Sequence, residues 1–260
     1  MSTMRDISKK SGYSLSTVSK VLSNDKNFSV TNETRDIIYN DGSGFGDPII
    51  GDIIITSLFG ATSGRAKPHS GIDIGGIQGE TKIISIYDGR ITKIKIQERG
   101  YGLYLYIKHN SLGDIIYRSE YGHLADLSER ILNLIKPQLS ETASLKTLTS
   151  IQDLTNDNIA INNLLNGINT DIVVTKGEVI GLMGGKVGDY RSKLYKDSDT
   201  FVNLIGTSTG THLHLTIRDV TNSNNIVVVN PELIISSGNE GRMKYAGKPY
   251  IPKDVLDIDN

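Results

Sequence analysis

Lys82 to Gln97 reads KIISIYDGRITKIKIQ, two runs in which apolar and polar residues alternate on either side of Asp88-Gly89. An alternation of period two puts every second side chain on one face of an extended chain. An Asp-Gly between two such runs is the mark of a two-residue hairpin turn. The stretch therefore predicts a pair of antiparallel strands, and the pattern continues on both sides of it. Leu103 to His109 (LYLYIKH) alternates again, with Ile115 to Tyr121 as its expected partner. Val173 to Met183, Leu213 to Val220 and Ile226 to Val229 read as further strands. The chain holds 35 Ile against 6 Ala, with 27 Gly, a composition that favours strands joined by tight turns over a helical bundle.

The pattern breaks in four places. Residues 127–169 carry ERILNLIKPQL, SLKTLTSIQDL and NIAINNLLNGI, in which apolar residues recur at three and four, the mark of two or three inserted helices. Residues 186–202 form a second, polar insertion. Residues 1–40 read as a small helical module: Met4 to Gly12, then LSTVSKVLSN capped by Ser14, then Thr31 to Tyr39. A breaker-rich linker at 41–48 separates it from the rest, and residues 237–260 read as a surface tail. The expected architecture is thus mainly β. An antiparallel sheet or sandwich domain spans 49–236, with a helical insertion and a small N-terminal helical module.

Composition narrows the chemistry. There are 28 Lys plus Arg against 29 Asp plus Glu among 260 residues, which argues against a surface devoted to nucleic acid or anionic membrane. No apolar run approaches the roughly 18 residues of a membrane span. The start, MSTMRDISKK, carries charges where an export signal needs its apolar segment. With no cysteine, thiol nucleophiles, iron–sulfur clusters and Cys-based zinc sites are excluded, and any metal must be held by His, Asp or Glu.

Only five histidines are available: His69, His109, His123, His212 and His214. In THLHL (Thr211 to Leu215), residues two apart share a strand face, so His212 and His214 present their rings together. HSGID (His69 to Asp73) sets a His and an Asp four apart, able to converge across a turn. Two imidazole nitrogens and a carboxylate oxygen make a set suited to Zn2+, with a fourth position left for water. A third piece, YGHL, adds His123. One histidine of the THLHL pair and His123 are then left over as a general base and an oxyanion stabiliser. His109, in an alternating strand, reads as structural.

HSGIDI, YGHL and GTSTGTHLHL, in this order, resemble the signatures of the M23 (LytM/lysostaphin-like) metallopeptidases. ITSLFG, IYDGRI and VTKGEVIGLMG resemble the frame around them, and the resemblance covers roughly 48–231 outside the two insertions. It implies a zinc endopeptidase acting on peptide bonds of bacterial peptidoglycan. It implies His69, Asp73 and His214 as zinc ligands, His212 as base and His123 as stabiliser of the tetrahedral intermediate. With no export signal read, such an enzyme is expected to reach the wall in a phage virion, among other tail proteins, or by release from the cell. The helical insertion is expected to serve as a lid or a subunit contact.

TMRDISKKSGYSLSTVSKVLSNDKNFSVTNETRDII resembles the helix-turn-helix of LacI-type repressors, STVSKVL being its most specific part. That resemblance puts Leu15, Ser16 and Lys20 at base-reading positions and Thr17 and Ser19 near phosphates. Residues 1–40 hold six basic and four acidic residues, a balance of +2 that permits DNA contact without demanding it. The competing expectation for the whole chain is a non-enzymatic structural or DNA-binding regulatory protein whose β domain serves as a binding module.

Overall fold

A computed structural model of the chain describes residues 14–22, 45–110, 115–235 and 242–250. The helices expected at Met4 to Gly12 and Thr31 to Tyr39, and most of the expected linker, lie outside the described residues. Of the N-terminal module, α1 (Leu15–Leu22) is helical as expected. Its start is capped by Ser14, whose Oγ accepts from the Thr17 amide at 3.1 Å.

The remainder is mainly β. Along the chain run β1 (Ile53–Ser57), β2 (Ile72–Gly75), β3 (Lys82–Ile84), β4 (Gly89–Gln97), β5 (Gly102–His109), β6 (Tyr117–Gly122) and β7 (Leu124–Leu127). The helical insertion follows as α2 (Glu129–Leu139), α3 (Glu141–Ser144) and α4 (Asn158–Asn166). Then come β8 (Ile168–Val174), β9 (Val179–Met183), β10 (Lys193–Tyr195), β11 (Phe201–Asn203), β12 (His212–Asp219), β13 (Val227–Val229), β14 (Met243–Tyr245) and β15 (Lys248–Pro249).

The large sheet has the order β15-β14-β1-β2-β12-β6-β5-β4-β8, with β13 pairing β12. A second sheet is β3-β9-β7, and β10-β11 form a two-stranded ribbon within the polar insertion. Among the described residues, every strand pair but the parallel β1–β14 is antiparallel. Alternation decides which face of the large sheet is dry. Ile72 and Ile74, Leu213, Leu215 and Ile217, Ser119 and Tyr121, and Leu103, Leu105 and Ile107 are buried on one face. Their neighbours in register, among them Asp73, His214, Glu120 and Tyr106, stand on the other.

The structure corrects three expectations. Asp88-Gly89 is not a hairpin turn: β3 pairs β9 in the small sheet, while β4 begins at Gly89 and pairs β5 and β8 in the large one. The hairpin turn needs a left-handed φ at glycine, and Gly89 is not among the positive-φ residues. Its glycine instead permits close approach of β5, since a Cβ there would lie 2.5 Å from the Lys108 carbonyl oxygen. The chain crosses between sheets over Ser85 to Asp88, tied by Ile86 N–H donating to the Tyr121 hydroxyl at 3.0 Å. The last residues of the expected linker are not loose, for Phe45 is buried against Tyr87, His109 and Tyr117. Nor is all of the expected tail a surface arm. β14 extends the sheet, with Met243 opposite Ile53 and fully buried.

The helical insertion covers the β4–β8 end of the large sheet. α2 buries Ile131, Leu132, Ile135 and Leu139, one stripe of a helix capped by Ser128. In sheet order, β6 and β5 lie between β12 and the β4 strand on which the insertion packs.

A candidate metal centre

β2 and β12 lie side by side with Asp73 directly opposite His214. This close pairing depends on Gly71, where a Cβ would sit 2.3 Å from the Leu215 carbonyl oxygen. The loop before β2 folds His69 back over the pair, held by its backbone N–H donating to the Ala61 carbonyl at 3.0 Å. Three atoms then converge. His69 Nε2 is 3.0 Å from His214 Nδ1 and 3.1 Å from Asp73 Oδ1, and the last two are 2.9 Å apart. All three residues are buried.

The donor set fits a cation. His69 Nδ1 lies 3.0 Å from the Leu58 carbonyl oxygen, which can only accept, so the ring's N–H belongs there. In the uncharged ring, Nε2 is then a bare lone pair. His214 Nε2 lies 2.9 Å from Thr216 Oγ1, an acceptor for the N–H that frees Nδ1. Two nitrogen lone pairs and a carboxylate oxygen facing one another within 3.1 Å repel unless something positive lies among them. A tetrahedral ion with bonds of about 2.0–2.1 Å needs ligand atoms spaced by roughly 3.3 Å, close to what is seen. The carboxylate's other oxygen, Oδ2, accepts from Arg65 Nη2 at 2.9 Å.

The two remaining histidines of the motif stand beside this cluster. His212 Nδ1–H donates to the Gly210 carbonyl at 2.9 Å, so its Nε2 faces the cluster, 3.7 Å from Asp73 Oδ1. His123 sits at the crossing from β6 to β7 with φ of 60°, a left-handed conformation unusual for a non-glycine residue. Its Nδ1–H donates to the Ile205 carbonyl at 2.8 Å, and its ring centre is 4.7 Å from that of His212. Burial pushes His123 down to about 3, helped by the neighbouring His212 and His214. Burial also lowers His212, against the opposing pull of Asp73. Both rings are therefore proton acceptors at neutral pH.

His109 lies apart, as expected. Its Nε2 is 2.7 Å from Ser119 Oγ and its Nδ1 3.2 Å from the Tyr87 carbonyl, in the buried cluster with Phe45. On α1, Ser16 and Lys20 are exposed, Thr17 and Ser19 half-buried, and Val18 buried. The side chain of Leu15 lies outside the described residues. Sequence reasoning missed Arg65, Thr216, the Leu58 carbonyl and Tyr101, whose ring is 5.1 Å from that of His214. Only the two-residue step from His214 to Thr216 along one strand face carried a signal.

The class this fold and site define is an antiparallel β domain with a His/Asp/His cluster able to hold a metal ion. Among solved structures the chain is similar to a catalytic-domain variant of the prophage-encoded M23 protein EnpA from Enterococcus faecalis. That match is 19% identical, with a TM-score of 0.39, and covers 72% of this chain and 92% of that one. The catalytic domain of the antimicrobial peptidase lysostaphin from Staphylococcus simulans matches at 16% identity and a TM-score of 0.38, over 72% and 85% of the two chains. A putative glycyl-glycine endopeptidase LytM from Ruminococcus gnavus matches at 14% and 0.43, over 88% and 82%. No family profile matches the chain. Among curated proteins, the HTH-type transcriptional regulator GanR of Bacillus subtilis is 54% identical over 39 residues, 15% of this chain. The chain spans 12% of that regulator's length.

Proposed function

We propose that the chain is a zinc-dependent endopeptidase that hydrolyses peptide bonds of bacterial peptidoglycan. The observation that carries this reading is the meeting of His69, Asp73 and His214 within 3.1 Å, with His212 and His123 alongside. The order of HSGIDI, YGHL and THLHL in the sequence supports it.

His69 Nε2, His214 Nδ1 and Asp73 Oδ1 would hold the ion. When bound, zinc supplies Lewis-acid polarisation of water and of the substrate carbonyl. The protein's own residues supply the rest. His212, neutral and fixed by Gly210, takes the proton of the attacking water at Nε2 as the new C–O bond forms. That proton then passes to the leaving amine as the C–N bond breaks. His123, with Nδ1–H committed to Ile205, presents Nε2 to the reacting carbonyl. As an imidazolium it would donate to the tetrahedral oxyanion, a role that needs a proton taken up from solvent when substrate is in place, against the burial that keeps the free ring neutral. Arg65 holds Asp73 from behind, keeping Oδ1 turned inward.

The test is digestion of purified cell walls by the wild-type and His212→Ala proteins, with and without a chelator. Wild-type protein is expected to release peptides, and to stop when chelated. His212→Ala is expected to be at least ~100-fold slower while keeping its metal. Unimpaired hydrolysis by His212→Ala removes it as the base.

The identity with GanR supports a second reading for the N-terminal segment alone, DNA contact through Leu15, Ser16, Thr17, Ser19 and Lys20. Salt-dependent anisotropy on the full chain tests it. Binding of duplex DNA that is unchanged in Lys20→Ala and Ser16→Ala ends it.

A further inference from the structure

The polar face of the large sheet does not stop at the histidines. Two residues along β12 and β6, a step of about 7 Å, Glu120 stands opposite both Thr216 and Tyr106. Glu120 is 3% exposed. Two arginines from the next row fold back onto its Oε1: Arg118 through Nη2 at 2.7 Å and Nε at 3.2 Å, and Arg218 through Nε at 2.7 Å. Its Oε2 is buried and takes no hydrogen bond, so one carboxylate oxygen anchors both guanidinium groups. One negative and two positive charges leave the cluster cationic. The arginine side chains keep 27% and 23% exposure, and both Nη groups of Arg218 are left without a hydrogen-bonding partner among the described residues.

Aromatic rings join this cluster to the histidines. Tyr101 lies 5.1 Å from His214 and 5.7 Å from Tyr104, Tyr104 lies 5.1 Å from Tyr106, and Arg118 stacks 4.8 Å over Tyr106. Burial raises both Tyr104 and Tyr106, so both phenols remain neutral. The sheet face beside the histidine cluster thus offers guanidinium N–H donors and phenols, and the Glu120 carboxylate is already engaged. A planar anionic group fits such a surplus of donors, because a guanidinium fork matches a carboxylate in geometry as well as charge.

We propose that Arg118 and Arg218, oriented by Glu120, form a subsite for a peptide carboxylate, side chain or chain end, about two residues from the bond that is cut. The spacing follows from the 7 Å step and the ~3.3–3.6 Å reach of an extended residue. The inference rests on the peptidase reading for its choice of a peptide as ligand.

Capped glycyl hexapeptides carrying a single Glu or Gln at each position test it, with a further pair ending in a free acid or an amide. Their binding is measured on the His212→Ala protein, and their hydrolysis on wild type. The Glu peptide is expected to bind roughly ten-fold tighter than its Gln twin at one position. A preference confined to the free-acid pair assigns the subsite to a chain end. Arg118→Gln and Arg218→Gln are expected to bring the ratio near one. Arg218→Lys, which keeps charge but not the fork, should retain part of it. Melting curves establish that each variant folds. Equal affinities throughout, or a preference that survives both Gln variants, overturns the subsite. Selective binding without hydrolysis of any peptide leaves the subsite standing and overturns the peptidase reading instead.

Discussion

Arg65 is one of many arginines in the sequence, yet the loop before β2 places it on Asp73 Oδ2 at 2.9 Å. Groups that hold a metal's ligands from behind commonly contribute 10- to 100-fold in affinity. Arg65→Ala is therefore expected to weaken zinc by a factor in that range in a titration against a competing chelator. Unchanged affinity would show that Asp73 is positioned by the sheet alone. The three residues of the cluster were legible in the sequence because His-x-x-x-Asp and His-x-His are rare spacings in a chain with five histidines. Arg65, Thr216 and the Leu58 carbonyl were not, since common residue types and backbone atoms carry no mark until the fold brings them together. His109 gives a second prediction at this scale. Burial pushes it down to about 4, so the folded state binds fewer protons than the unfolded state between pH 4 and 6.5. Stability must fall as pH drops through that window, by about 3 kcal/mol in all. His109→Gln is expected to flatten this part of the pH profile in urea melts; an unchanged slope would assign it to other groups.

Single contacts decide how the elements are held. Asp126, on β7, accepts from the Ser150 hydroxyl and from the amides of Ile151 and Leu127 at 2.8 Å each. It ties the helical insertion to the small sheet, and Asp126→Ala strands three donors. We expect a loss of about 2–4 kcal/mol by urea denaturation; a loss under ~0.5 kcal/mol would mean that the insertion docks through its apolar stripe alone. Met243→Ala, which opens a cavity beside Ile53, is expected to cost a similar 2–5 kcal/mol. A near-neutral result would show that β14 contributes little to the fold. Strand positions were readable from alternation, but strand partners were not. KIISIYDGRITKIKIQ holds two strands as expected, yet period-two patterning is silent on pairing. β3 finds β9, nearly a hundred residues on, where Lys82 meets Leu182. β14 escaped notice because three residues are too few to show a period.

At the scale of the molecule, the sheet sorts its two faces into separate tasks. One face is an Ile- and Leu-rich core, and the other carries the histidine cluster, the tyrosine row and the two arginines in register. A metal that binds only the folded chain must stabilise it. With zinc at 100 times its dissociation constant the gain is about 2.7 kcal/mol, so zinc is expected to raise the melting temperature of wild type by several degrees. Zinc per chain and wall hydrolysis, determined on the same samples of wild type and His214→Ala, test the metal centre most directly. The prediction is one zinc per wild-type chain with active hydrolysis, and both lost together in His214→Ala. Stoichiometric zinc retained by His214→Ala, or hydrolysis by metal-free wild type, would contradict it.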